Sequence, residues 1–131
     1  LWIYPTGNPR EMPPLVLAYL GDAVFELYVR LYLVNKGITK TNSLHREAAS
    51  LVKAASQAHF LQKLDGLLSD EEKDVARRGR NAKSGHVPKN AQVTEYRLST
   101  GFETLLGYLF LLEREERITE LLGHLLNEGN S

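Results

Sequence analysis

From Leu15 to Val34 the chain is apolar at nearly every position, broken only by Gly21, Asp22, Glu26 and Arg30. A stretch apolar on all sides reads as a helix buried in a core. Pro13-Pro14 opens it, because proline fits a first helical turn, and Asn35-Lys36-Gly37 closes it with the glycine expected past a C-cap. Thr41-Asn42-Ser43 offers caps for a second helix, with Leu44, Ala48, Leu51, Val52 and Ala55 at helical spacing. A third helix is predicted from Gln57 to Leu67, with Phe60, Leu61, Leu64, Leu67 and Leu68 as its stripe. Ser69 followed three residues later by Glu72 is a capping box that starts a fourth helix, running to about Arg78. From Gly79 to Val93 the period vanishes, which predicts a loop of about fifteen residues, long enough to suggest a functional role. Helix signals resume at Thr94 or Thr100 and run to Arg114. A last helix, from about Glu116 to Asn127, repeats Leu121, Leu122, Leu125 and Leu126 on one face. Almost no segment alternates with period two, so the expected fold class is all-α. One domain is expected over 14–131, preceded by 1–13 as an irregular arm or an expression remnant without functional weight.

Composition narrows this little. A chain of 131 residues can bury a core without staples, and 43% hydrophobic with 24% charged residues is ordinary for a globular domain. The absence of cysteine removes disulfides, thiolate metal sites and cysteine nucleophiles, and accords with a reducing cytoplasm. A formal net charge of zero leaves no whole-molecule field, so any attraction for nucleic acid must be local. The run from Leu15 to Val34 is long enough to span a membrane, but Asp22, Glu26 and Arg30 would each cost roughly 2.5–3.5 kcal/mol near a bilayer centre. No membrane association is expected.

The acids in apolar helices carry the chemistry. Asp22 and Glu26 stand one turn apart, about 6 Å along the axis, where like charges repel. Arg30 is four residues beyond Glu26 and can pair with it. Asp22 has no such neighbour. A second apolar helix, Ser99 to Phe110, holds one acid, Glu103. Each of these helices also carries a glycine, Gly21 and Gly107, which costs about 1 kcal/mol relative to alanine but lets helices approach closely. The economical reading is that the two helices cross and bring Asp22 and Glu103 together as a site for a hard divalent ion. Magnesium takes oxygen ligands and usually keeps several waters beside one or two carboxylates. The plainer reading of a single such acid is an arginine partner or a route to the surface.

The run from Arg77 to Arg97 is the second unusual feature. It holds Arg77, Arg78, Arg80, Lys83, Lys89 and Arg97 against the single acid Glu95, and Asn81 and Ser84 add neutral donors. Arginine forks and ammonium groups on such a segment suit phosphate oxygens. Aromatics for stacking bases are missing until Tyr96, which favours a duplex over single strands. A solvated surface loop is the plainer alternative. His45, His59, His86 and His124 lack metal-ligand spacing, and no P-loop, GxSxG or HExxH pattern occurs.

Leu17-Ala18-Tyr19-Leu20-Gly21-Asp22-Ala23-Val24-Phe25-Glu26 resembles the signature helix of the ribonuclease III catalytic-domain family. Phe102-Glu103-Thr104-Leu105-Leu106-Gly107 resembles its second acidic helix. Arg78-Gly79-Arg80-Asn81-Ala82-Lys83-Ser84-Gly85, Pro88-Lys89-Asn90 and Tyr96-Arg97-Leu98-Ser99-Thr100 resemble the short bacterial branch, the Mini-ribonuclease III family, which lacks a double-stranded-RNA-binding domain. The similarity runs from about Leu15 to Asn127. It implies an all-helical endonuclease fold and a homodimer forming a valley for double-stranded RNA. Each subunit would have one magnesium-dependent site, with manganese as a substitute. Asp22 and Glu103 fall on the catalytic and metal-binding carboxylate positions, and Arg77, Arg78, Arg80, Asn81, Lys83, Ser84, Lys89 and Arg97 become the expected RNA contacts. The implied role is cytoplasmic maturation of 23S ribosomal RNA precursor ends, with a ribosomal protein as a helper. Leu15, Ala18 and Thr100 stand where the wider family carries further acids, so the site is thinner in carboxylates. A catalytically silent RNA-binding or scaffold protein on the same fold is the alternative.

Overall fold

The computed structural model describes residues 3–82 and 92–127. Among these residues it is all-helical: a 3-10 turn Pro9–Glu11, then α1 (Pro14–Asn35), α2 (Thr41–Val52), α3 (Ala54–Leu64), α4 (Asp70–Asn81), α5 (Val93–Leu111) and α6 (Glu115–Leu126). The long apolar helix α5 is the central element. It packs chiefly on α1, α4 and α3, and Phe102, Leu105, Leu106 and Leu109 are wholly buried. Phe25 from α1 and Phe60 from α3 meet Phe102 edge-on or tilted, so three helices share one aromatic centre.

The expected boundaries shift where tertiary contacts decide them. The fourth helix continues past Arg78 to Asn81, with Gly79 inside it. A Cβ on Gly79 would lie 2.3 Å from the Thr104 hydroxyl oxygen, so glycine here serves close packing on α5 and does not break the helix. The fifth helix starts at Val93 and stops at Leu111, short of Arg114. Glu113 adopts a left-handed φ of 58°, and the Arg114 amide donates back to the Leu109 carbonyl at 2.9 Å, a Schellman-type stop. The expected capping box is present: Ser69 Oγ accepts from the Glu72 amide, and Glu72 Oε1 accepts from the Ser69 amide at 2.8 Å. Glu72 is buried and also receives a two-pronged hydrogen bond from Arg117 of α6, 2.8 Å on each arm. Arg117 thereby holds its carboxyl below the usual range and ties α6 to the start of α4.

α1 departs from the expectation of a fully buried helix. Leu17, Val24, Phe25, Val29 and Leu33 face the core, while Val16, Tyr19, Leu27, Leu31 and Val34 are exposed. Tyr4 and Arg10, before α1, both contact the helical domain. Tyr4 stacks on Phe110, and Arg10 pairs with Glu71 at 3.0 Å while lying over the Tyr108 ring.

Candidate active site

The crossing of α1 and α5 is made by two glycines. A Cβ on Gly21 would lie 1.7 Å from the Glu103 carbonyl oxygen, and one on Gly107 would lie 2.0 Å from the Leu17 carbonyl oxygen. No side chain fits at either point. This backbone-to-backbone approach brings the neighbouring acids together: Asp22 and Glu103 stand close enough for Asp22 to oppose the ionisation of Glu103. Asp22 is exposed at the rim and Glu103 is partly buried beneath it. Burial first, and then the Asp22 charge and hydrogen bond, push Glu103 up to about 8. Such a pair is short of positive charge. One opposing influence comes from Gln57 of α3, whose side-chain amide favours the charged form of Glu103. Gln57 is buried, and its Oε1 has no hydrogen-bond partner.

These donors suit a divalent cation. Two facing carboxylates would be neutralised by it, as the proton that Glu103 retains now does in part. Among the described residues no group of three or more His, Asp or Glu side chains is placed to hold a metal ion. At the positions thin in acids, Leu15 is exposed, Ala18 is buried, and Thr100 donates its hydroxyl to the Tyr96 carbonyl at 2.9 Å. Glu26 lies apart from the pair and takes the expected partner, Arg30, at 3.2 Å. His45, His59 and His124 are exposed, and His86 lies outside the described residues.

The basic segment divides. Arg77 pairs with Asp74. Arg78 reaches Asp74 at 3.3 Å and donates to the Arg10 carbonyl at 3.4 Å. Asp74 lies just before the basic run, so the local positive excess is smaller than the run alone suggests. Arg80, Asn81 and Arg97 are exposed, whereas Lys83, Ser84 and Lys89 lie outside the described residues. A Cβ on Gly101 would lie 3.4 Å from Arg80 Cβ, and Arg97 is one turn before Gly101, so these two arginines share a side of α5. Arg77 and Arg80 also line a cleft of about 430 Å³ with Lys73, Gln62, Asp65 and Leu98. Lys73 extends the stripe one turn down α4, outside the segment that sequence singled out.

The described residues form an all-helical fold in which two acids meet where α1 and α5 cross, and Lys73, Arg77 and Arg80 line a separate cleft on α4. The model of the ribonuclease III domain matches residues 15–114, and the chain belongs to this family of endoribonucleases. Its relatives fall in the short branch. The chain is 50% identical over 116 residues to Mini-ribonuclease 3 of Symbiobacterium thermophilum, covering 88% of this chain and 89% of that protein. It is 44% identical over 119 residues to Mini-ribonuclease 3 of Clostridium tetani, covering 90% and 79%. The crystal structure of protein FN1578 from Fusobacterium nucleatum matches with a TM-score of 0.82 at 30% identity, over 93% of this chain and 97% of that one.

Gln57 is the residue that the sequence alone did not bring forward. The available signal was its position: it precedes Phe60, Leu61 and Leu64 by three, four and seven residues and so occupies the apolar stripe of α3.

Proposed function

We propose that this protein is a magnesium-dependent endoribonuclease that cleaves double-stranded RNA, with manganese as an alternative ion, and that it works as a homodimer. The single observation that carries the reading is the contact between Asp22 and Glu103 across the glycine crossing. In this reading both carboxylates hold the cation. When bound, that ion supplies water activation and charge stabilisation for phosphodiester hydrolysis. Glu103 must lose its proton to take part. The burial and the Asp22 charge that oppose this loss are offset once positive charge is present. Arg80, Arg97 and Asn81, with Lys83, Ser84 and Lys89, contact phosphate oxygens and position the duplex. Arg77 and Arg78 join them by exchanging Asp74 for phosphate. The family resemblance extends the proposal to precursor ends of 23S ribosomal RNA in the cytoplasm, with a ribosomal protein helping to shape the RNA. Among the described residues no helix is long and apolar enough to cross a membrane.

The test is cleavage of a defined RNA duplex by wild type, Asp22→Asn and Glu103→Gln, with and without magnesium. Loss of at least about 100-fold in each variant is expected, since each removes a charged ligand of the ion. Undiminished cleavage by Asp22→Asn would overturn the assignment. Duplex binding without cleavage by wild type, in magnesium or manganese, would establish the silent RNA-binding reading instead.

A further inference from the structure

Gln57 occupies a position where an apolar residue would be the ordinary choice. It is 2% exposed and stands on the stripe of α3 that continues through Phe60, Leu61 and Leu64, all in the core. Its Nε2 donates to the Val52 carbonyl at 2.8 Å. That contact fixes the orientation of the amide, because a flipped amide would set its oxygen against another acceptor. The same side chain favours the charged form of Glu103, so the N–H that Val52 does not take is the group that can face the carboxylate on α5. The oxygen is left without a partner. Leaving a buried carbonyl unsatisfied costs on the order of 1–3 kcal/mol. Packing alone does not explain an arrangement that an apolar side chain of equal length would avoid.

We propose that Gln57 is a positioning residue of the active site: anchored through the Val52 carbonyl, its amide holds the Glu103 carboxylate in the orientation that receives the divalent cation. The inference rests on the reading of Asp22 and Glu103 as the cation's ligands. In metal sites, groups that orient a ligand change metal affinity or activity by about 10–100-fold when removed. Without the amide, Glu103 can rotate within its partly buried pocket, and the carboxylate pair loses its preset geometry. The RNA-contacting arginines on α4 and α5 are untouched.

The experiment compares wild type, Gln57→Met, Gln57→Leu and Asp22→Asn in three measurements. Manganese binding is followed by electron paramagnetic resonance without RNA, kcat and KM are determined on a duplex RNA, and melting is recorded in chelator. Gln57→Met keeps length and volume, and Gln57→Leu is the second apolar variant should methionine fail to fold. The expected result for a folded variant is manganese binding weakened about tenfold or more. Its kcat should fall at saturating RNA with KM within about twofold, and its melting temperature in chelator should match or exceed that of wild type. Wild-type manganese affinity and kcat in a folded apolar variant would overturn the proposal, as would failure of both variants to fold, which would make Gln57 a structural residue. Manganese binding by Asp22→Asn equal to wild type would instead overturn the underlying assignment of the carboxylates.

Discussion

At the crossing of α1 and α5 two acids stand side by side, and Glu103 does not ionise freely there. Glu103 is pushed up to about 8 by burial and by Asp22, so near neutral pH it keeps its proton in the folded chain and releases it in the unfolded one. The folded state then binds more protons than the unfolded state between the ordinary value of 4.5 and about 8. This contribution to stability is fully present below the unfolded value and is lost as pH rises through about 8. The melting temperature in chelator is therefore expected to fall between pH 6 and 9. Asp22→Asn should reduce the fall, because two of its causes disappear while burial remains, and saturating magnesium should raise the melting temperature most at the alkaline end. Equal pH slopes in wild type and Asp22→Asn would refute the coupling. Glu72 behaves oppositely: Arg117 lowers it, so its contribution is lost only on acidification below the usual carboxylate range, outside this window.

At the level of elements, the site depends on how closely α1 and α5 approach. Gly21→Ala adds a Cβ 1.7 Å from a backbone oxygen, which no rotamer change relieves, so the helices must separate. The gain in helix propensity, about 1 kcal/mol, does not offset an overpacking cost of about 3 kcal/mol. Urea unfolding should report that loss, and RNA cleavage by the folded fraction should drop as Asp22 and Glu103 part. Gly123→Ala on α6 is the contrast: its Cβ would be 3.7 Å from the Asn127 side chain, and the substitution should be neutral or stabilising. Comparable losses at both positions would show that the close approach is unimportant. Gly21 and Gly107 were legible in the sequence as the crossing point because each accompanies an acid in an apolar helix. Gly79 was not, since a glycine beside arginines reads equally as a helix end, and only Thr104 across the interface distinguishes the two. Gln57 was hidden for a related reason. A polar residue at the start of a stripe looks like a helix boundary until the neighbouring helix supplies Glu103. Apolar patterning, with the capping box at Ser69, located the six α-helices of the described residues, but α1's largely apolar surface could not say which of its faces the chain itself would cover.

The uncovered face of α1 concerns the whole molecule. Val16, Tyr19, Leu27, Leu31 and Val34 recur at helical spacing and remain exposed, Tyr19 at 80% and Val34 at 61%. Scattered apolar residues are normal on a surface, whereas a continuous stripe of this length marks an association surface. A helix pairing with its own copy about a two-fold axis gives a closed, isologous contact that buries the same stripe on both subunits. Asp22 stands on the helix that carries the stripe, one turn from Glu26, so dimerisation would fix the spacing between two copies of the carboxylate pair. A duplex bound across both subunits would then meet two sites and two basic faces. Replacing Leu27 and Leu31 together by glutamate should yield a folded monomer, because neither side chain belongs to the core. Sedimentation should shift from about twice 14.8 kDa to 14.8 kDa. Helicity should persist, while duplex binding and cleavage fall together, since each loses the second subunit. A wild-type protein that sediments at the monomer mass at micromolar concentration, or a double variant that still forms the dimer, would exclude this stripe as the interface.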